Sequence, residues 1–162
     1  MTGTVNPIPH GLHTITPHLV CAGAAAAIEF YKEAFGATEV DRLAGPDGKL
    51  MHAMLRIGDS ALMLVDEFPE MGARGPKTLG GASVTIHLSV PDVDASFARA
   101  LKAGAETRMP VTDMFWGARY GLLADPFGHQ WSIATQKQNL TIEQIRDNLK
   151  SLPPMGDCPP RG

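Results

Sequence analysis

The segment Thr16-Pro17-His18-Leu19-Val20 returns as Thr85-Ile86-His87-Leu88-Ser89-Val90, 69 residues on, and the same succession of patterns follows each copy. After the first, Ile28, Tyr31 and Phe35 recur at helical spacing, and Gly36-Ala37 ends the helix because glycine tolerates the left-handed cap conformation. After the second, Asp94 is placed to cap a helix whose Phe97 and Leu101 face inward, and Gly104-Ala105 repeats the Gly36-Ala37 ending. Strand-like runs then follow in both copies. The first has 38–44, a Pro46-Asp47-Gly48 turn, 49–57 and 61–65; the second has 105–111, 119–124, an Asp125-Pro126-Phe127-Gly128 turn and 130–135.

Each copy therefore reads as strand, helix and three strands. Neither buries both its helix and the inner face of its sheet alone, so the copies must pack together, within one chain or across a dimer. The expected class is α+β: two βαβββ modules whose curved mixed sheets enclose a cavity. The expected organisation is an N-terminal extension (1–13), a first module (14–66), a linker (67–82), a second module (83–136) and a C-terminal helix and tail (137–162), the modules forming one domain. The linker is dense in Gly, Pro and charge and reads as a flexible connection able to cover a site. In the tail Thr141 and Gln144 form a capping box, and Ile142, Ile145 and Leu149 supply an apolar stripe. Pro153-Pro154 ends that helix, and disorder is expected from Met155 onward.

Composition narrows the function classes. The 162 residues are 44% hydrophobic and 19% charged with a formal charge of −3, the balance of a soluble globular domain. No basic run or aromatic-basic alternation supports nucleic-acid binding. The longest apolar stretch, 20–28, is too short for a membrane span, and residues 1–17 lack the Lys or Arg plus apolar core of a secretory signal. A cytoplasmic setting is expected, with Cys21 and Cys158 as free thiols lacking metal-ligand or redox spacing.

The order of elements, with Ile28-Glu29-Phe30-Tyr31 in the first helix and Asp125-Pro126-Phe127-Gly128-His129 before the last strand, resembles the vicinal-oxygen-chelate (glyoxalase, bleomycin-resistance and dioxygenase) superfamily over residues 14–136. The runs Pro46-Asp47-Gly48-Lys49, Trp116-Gly117-Ala118-Arg119-Tyr120-Gly121 and Gly128-His129-Gln130-Trp131 resemble its PhnB-like branch. The resemblance implies a cavity for a small organic molecule, completed by a homodimer. It implies either a lyase or isomerase acting next to a carbonyl, or a non-catalytic protein that sequesters an antibiotic-like ligand.

Metal-dependent members of that superfamily place one ligand on the first strand and one on the last strand of each module. Carried over, those positions fall at Thr16, Thr85, Leu62 or Leu64, and Ser132, none an ordinary ligand for a divalent ion. By that carry-over no metal cofactor is expected. The alternative is a divalent metal on His18 and His87, completed by Asp66 or His52, since both histidines lie two places along their strands and share a face with the threonines. Without metal, His18, His87, His52 and Asp66 are the candidate acids and bases. Arg119, with Trp116 just before it, suits an anionic planar ligand. Met54 stands where the branch often has Glu, making that neighbourhood more apolar. Thr16, Thr85, Met54 and Ser132 complete the expected ligand-contacting set.

Overall fold

The computed structural model describes residues 5–153, so the expectations for Cys158, for Pro154 and for the chain from Met155 lie outside the described residues. The first module runs β1 (His18–Cys21), α1 (Ala24–Phe35), β2 (Thr38–Ala44), β3 (Leu50–Ile57) and β4 (Ser60–Asp66). A 3-10 turn (Pro69–Met71) and the one-turn helix α2 (Pro76–Leu79) lead to the second module: β5 (Thr85–Ser89), α3 (Val93–Lys102), β6 (Glu106–Asp113), β7 (Ala118–Ala124) and β8 (Gln130–Gln136). Helix α4 (Ile142–Lys150) follows, with the expected capping box on Thr141 and Gln144. Among the described residues no helix is long and apolar enough to cross a membrane.

Each module makes its own four-stranded sheet, in the orders β1-β4-β3-β2 and β5-β8-β7-β6. In each, the first strand runs parallel to the last and the other neighbours are antiparallel. The offset read from the sequence is kept in the register, because His18 lies opposite Met63 as His87 lies opposite Ser132. Alternation sends Ala53, Leu55, Leu62 and Leu64 of one sheet, and Leu123, Trp131 and Ile133 of the other, into the core. There they meet Ala27, Ile28, Tyr31 and Ala34 of α1 and Val93, Phe97 and Ala100 of α3. The two helices pack against each other within the chain.

Local signals set the helix ends. Gly36, at φ 68°, closes α1 by donating to the Lys32 carbonyl. The last carbonyls of α1, at Lys32 and Glu33, also accept from the Arg99 guanidinium of α3, a cation at the negative end of the helix dipole. The start of α1 is capped from across the sheet: the Asp66 carboxylate accepts from Gly23 and Ala24 at 3.2 and 2.8 Å. Helix α3 is capped by Asp92, not Asp94, because the Asp92 side chain is the one that reaches back to the Ala95 N–H. Leu101 is 37% exposed rather than inward, leaving Phe97 and Ala100 to carry the buried stripe. The stretch between modules is more ordered than its composition suggests: Phe68 is buried and bridges to Ala73.

The modules are joined by one buried carboxylate. Asp125 is 5% exposed, and its Oδ2 accepts from the Tyr31 hydroxyl of α1 at 2.6 Å and from the Trp131 indole at 2.9 Å. Its Oδ1 accepts from the Phe127 and His129 amides, both at 2.9 Å. His129 then places Nε2 3.0 Å from the Val20 carbonyl on β1. Asp125→Ala is expected to lower the unfolding free energy by about 3 kcal/mol or more, because it strands two buried donors, whereas Tyr31→Phe removes a single bond and should cost about half that. Urea denaturation of the two variants checks the ratio, and equal losses would contradict the shared-acceptor role.

Burial first, and the Asp125 charge second, push the Cys21 thiol up to about 12 and hold the Tyr31 hydroxyl well above its usual range. The unfolded chain sheds these protons near 9.0 and 10.0, while the folded chain keeps them. The unfolded state thus binds fewer protons above pH 9, and stability that is fully present below that pH is lost as pH rises toward 12. Urea midpoints measured from about pH 8 to 11 should fall, and should fall less steeply in Cys21→Ala. An unchanged slope in that variant would remove the thiol from the account.

Candidate functional site

The helices cover one face of each sheet and leave the other open. On the second sheet the register pairs His87 with Ser132 and Ser89 with Ala134, and pairs those β8 residues with Leu122 and Tyr120 of β7. His87, Ser132 and Tyr120 therefore share the open face, opposite Trp131 and Ile133. The Ser132 hydroxyl is buried at 3% exposure and lies 2.8 Å from His87 Nδ1. The His87 ring runs nearly parallel to Tyr120, at 15° with centroids 6.3 Å apart. Trp116, in the loop between β6 and β7, meets Tyr120 edge-on at 5.7 Å. The result is a shelf of three rings with one buried hydroxyl beneath it.

The open face of the first sheet has a different character. Met54 and Met63 are register partners, Val65 lies opposite Val20, and His18 stands opposite Met63. The methionines are half-buried, and thioethers adapt their shape to irregular apolar partners. On the same face as Met54, His52 places Nε2 3.5 Å from Asp41 Oδ1 on the edge strand β2.

The expected site residues are brought together only in part. His87, Ser132 and Trp116 converge, and Thr85 lies at the end of the same face with Oγ1 3.5 Å from Gln130 Oε1. His18 lines a pocket of about 390 Å3 beside the linker, whereas Thr16 and His87 line a separate cleft of about 870 Å3 between the modules. Asp66 does not meet a histidine: its oxygens are taken by the amides of Gly23, Ala24 and Leu50, so it acts as a helix and turn anchor.

Arg119 is likewise committed elsewhere. It pairs with Thr135 on the helix-facing side of β7, so its guanidinium points away from His87. It grips Asp94 through two bonds of 2.7 and 2.8 Å and reaches Asp113 at 3.3 Å. The Arg119 bonds hold the Asp94 carboxyl below its ordinary range, and Asp94 in turn raises Arg119. The residue that faces His87 is its neighbour Tyr120. Period-two alternation along β7 was the signal for it, since Arg119 and Tyr120 cannot share a face.

The strand register also corrects the metal positions. The counterpart of Ser132 in the first module is Met63, not Leu62 or Leu64, both of which lie in the core. The set at equivalent open-face positions is then His18, Met63, His87 and Ser132: two imidazoles, a thioether and a hydroxyl, with no carboxylate. A divalent ion that polarises substrate oxygens wants harder donors, so these residues do not fit the glyoxalase kind of metal site. Among the described residues no three of His, Cys, Asp and Glu come together in a metal-holding group.

The model of the Glyoxalase/Bleomycin resistance protein/Dioxygenase superfamily matches residues 11–133. An uncharacterized protein of Mycobacterium bovis, Mb0911c, is 49% identical over 140 residues, spanning 85% of this chain and 92% of its own. The crystal structure of TioX from Micromonospora sp. ML1 is 26% identical with a TM-score of 0.62, covering 76% of this chain and 98% of that one. TnmS3, an antibiotic binding protein from Streptomyces sp. CB03234, shares the fold at 23% identity and a TM-score of 0.59, covering 77% of this chain and 96% of that one. With the family model spanning most of both modules and a relative this similar across nearly its whole length, the chain belongs to the glyoxalase/bleomycin-resistance/dioxygenase superfamily.

Proposed function

We propose that the protein binds and sequesters a planar, largely apolar organic molecule, laid against the ring shelf of the second sheet. The observation that carries this reading is the shelf itself, in which Tyr120 and His87 lie parallel and Trp116 stands edge-on at one end. Such faces favour stacked, flat partners, and the Ser132–His87 pair supplies a polar contact that orients the ligand without a charge. Arg119 is turned away and neutralised by Asp94, which supports a neutral ligand over an anionic one at this face. TnmS3, an antibiotic binding protein with the same fold, supports this reading.

Each sheet leaves its second face open, and we propose that a homodimer closes them, as is usual in this superfamily. The methionine face of one module and the ring face of another would then bound one cavity. A second reading, a lyase or isomerase acting next to a carbonyl, draws on one observation: Ser132 holds the His87 ring in place, as a general base requires.

Titration with flat aromatic compounds such as acridine and naphthoquinone should quench tryptophan emission. The quench should vanish in Trp116→Phe, since Trp131 is fully buried. His87→Ala and Tyr120→Ala should each weaken binding by about tenfold. Unchanged affinity in both variants would sink the shelf as the binding surface. Turnover of a bound carbonyl compound that disappears in His87→Ala would favour the enzyme instead, and sedimentation at the mass of a single chain would count against the dimer.

A further inference from the structure

We infer a second binding site, for a small carboxylate with an apolar body, in the pocket between β1 and the segment that joins the two modules. This goes beyond the ring shelf and does not depend on it, since none of His87, Tyr120 and Trp116 lines the pocket.

The pocket exists because the joining segment docks tightly at one point and stands off at the next. Gly75 is pressed onto β1, where an added Cβ would come within 2.8 Å of the Val20 carbonyl oxygen. Its amide is held by Glu67 Oε1 at 2.6 Å. Beyond α2 the chain swings away, leaving about 390 Å3 between β1 and residues 79–84. That volume suits an acid of roughly ten to fifteen heavy atoms, at the small end of ligand pockets.

Its chemistry is one-sided. Arg74, His18 and His129 line it and no Asp or Glu does, in a chain whose formal charge is −3. Arg74 has no ion-pair partner among the described residues, unlike Arg42, Arg108 and Arg119. Glu67, whose carboxyl is lowered chiefly by hydrogen bonds from Thr78 and Gly75 and least by the Arg74 charge, turns one oxygen to the Gly75 amide. The His129 ring is fixed by the Val20 carbonyl, which gives that wall of the pocket a set shape. A guanidinium without an ion-pair partner, in a pocket it shares with two histidines, is ready to donate to a carboxylate.

The rest of the wall is apolar. Leu79 and Val84 are 66% and 70% exposed at the mouth, with Ile86 behind them. Large apolar side chains left in water beside a basic group are the surface a hydrocarbon or aryl body would cover, recovering the burial that the chain itself does not supply. The 870 Å3 cleft lacks this combination, because its Arg99 is spent on the Lys32 and Glu33 carbonyls.

The test is titration of the full-length, isotope-labelled protein with cinnamate, octanoate and the neutral cinnamamide, followed by amide chemical shifts. Cinnamate should move Gly75, Gly81, Ser83 and Val84. Cinnamamide should bind about tenfold more weakly, and Arg74→Gln, an exposed substitution, should cost cinnamate a similar factor. His87→Ala and Trp116→Phe should leave cinnamate binding at these amides unchanged, which separates this site from the shelf. Equal binding of acid and amide, full affinity in Arg74→Gln, or shifts confined to Tyr120 and Ser132 would each overturn the inference. So would the absence of any shift at the four amides with both acids at millimolar concentration.

Discussion

The Asp125 carboxylate is the contact on which the arrangement of the two modules rests. A charge in the interior costs several kcal/mol unless polar groups replace the water it has lost. Here four donors do so, one from α1, one from the Trp131 indole and two from the turn that Asp125 itself begins. Because one carboxylate accepts all four, moving the turn would strand both Tyr31 and Trp131, and shifting α1 would strand the Tyr31 hydroxyl. Packing follows the same axis: Trp131 lies 5.3 Å from Tyr31 and 4.6 Å from Phe35, ring centre to ring centre. The Arg99 bonds from α3 to the end of α1 form a second tie between the modules.

Docking through the helices has a consequence for the sheets. The buried stripes of α1 and α3 are spent against each other and against one face of each sheet, so each sheet keeps its other face free. In a duplicated fold the two free faces begin alike, and the register shows where they have parted. His18 and His87 occupy equivalent places, yet the partner of one is Met63 and of the other Ser132. One face became thioether-rich and the other aromatic and hydroxylic.

Much of this was legible in the sequence because it is periodic. The repeat, the order of elements, the glycine helix end of the first module and the capping box on α4 follow from spacing and from what glycine or threonine does to a backbone locally. The misreadings at Asp94, Asp66 and Arg119 share a different cause, since each concerned which partner a polar side chain finds across space. Asp94 sits in the first turn of α3 as a cap would, but Arg119 from β7 claims it and Asp92 caps instead. Asp66 ends a strand where the sequence allows a catalytic acid, but two loops bring three amides to it. Asp125, read as a turn residue, is one, and it is also the junction of the fold; only the Tyr31 and Trp131 donors reveal the second role.

The same distinction separates what the duplication explains from what it does not. Symmetry accounts for two equivalent strand pairs and for histidines at matching positions. It does not account for a thioether at Met63 and a hydroxyl at Ser132 in matching register positions, neither of them a hard carboxylate donor. Nor does it account for Tyr120 and Trp116, which belong to the second copy alone. A ligand lying between a soft apolar face and a ring face would be held by contact area and stacking, with the Ser132–His87 pair fixing its orientation. Those interactions discriminate by shape and flatness rather than by charge.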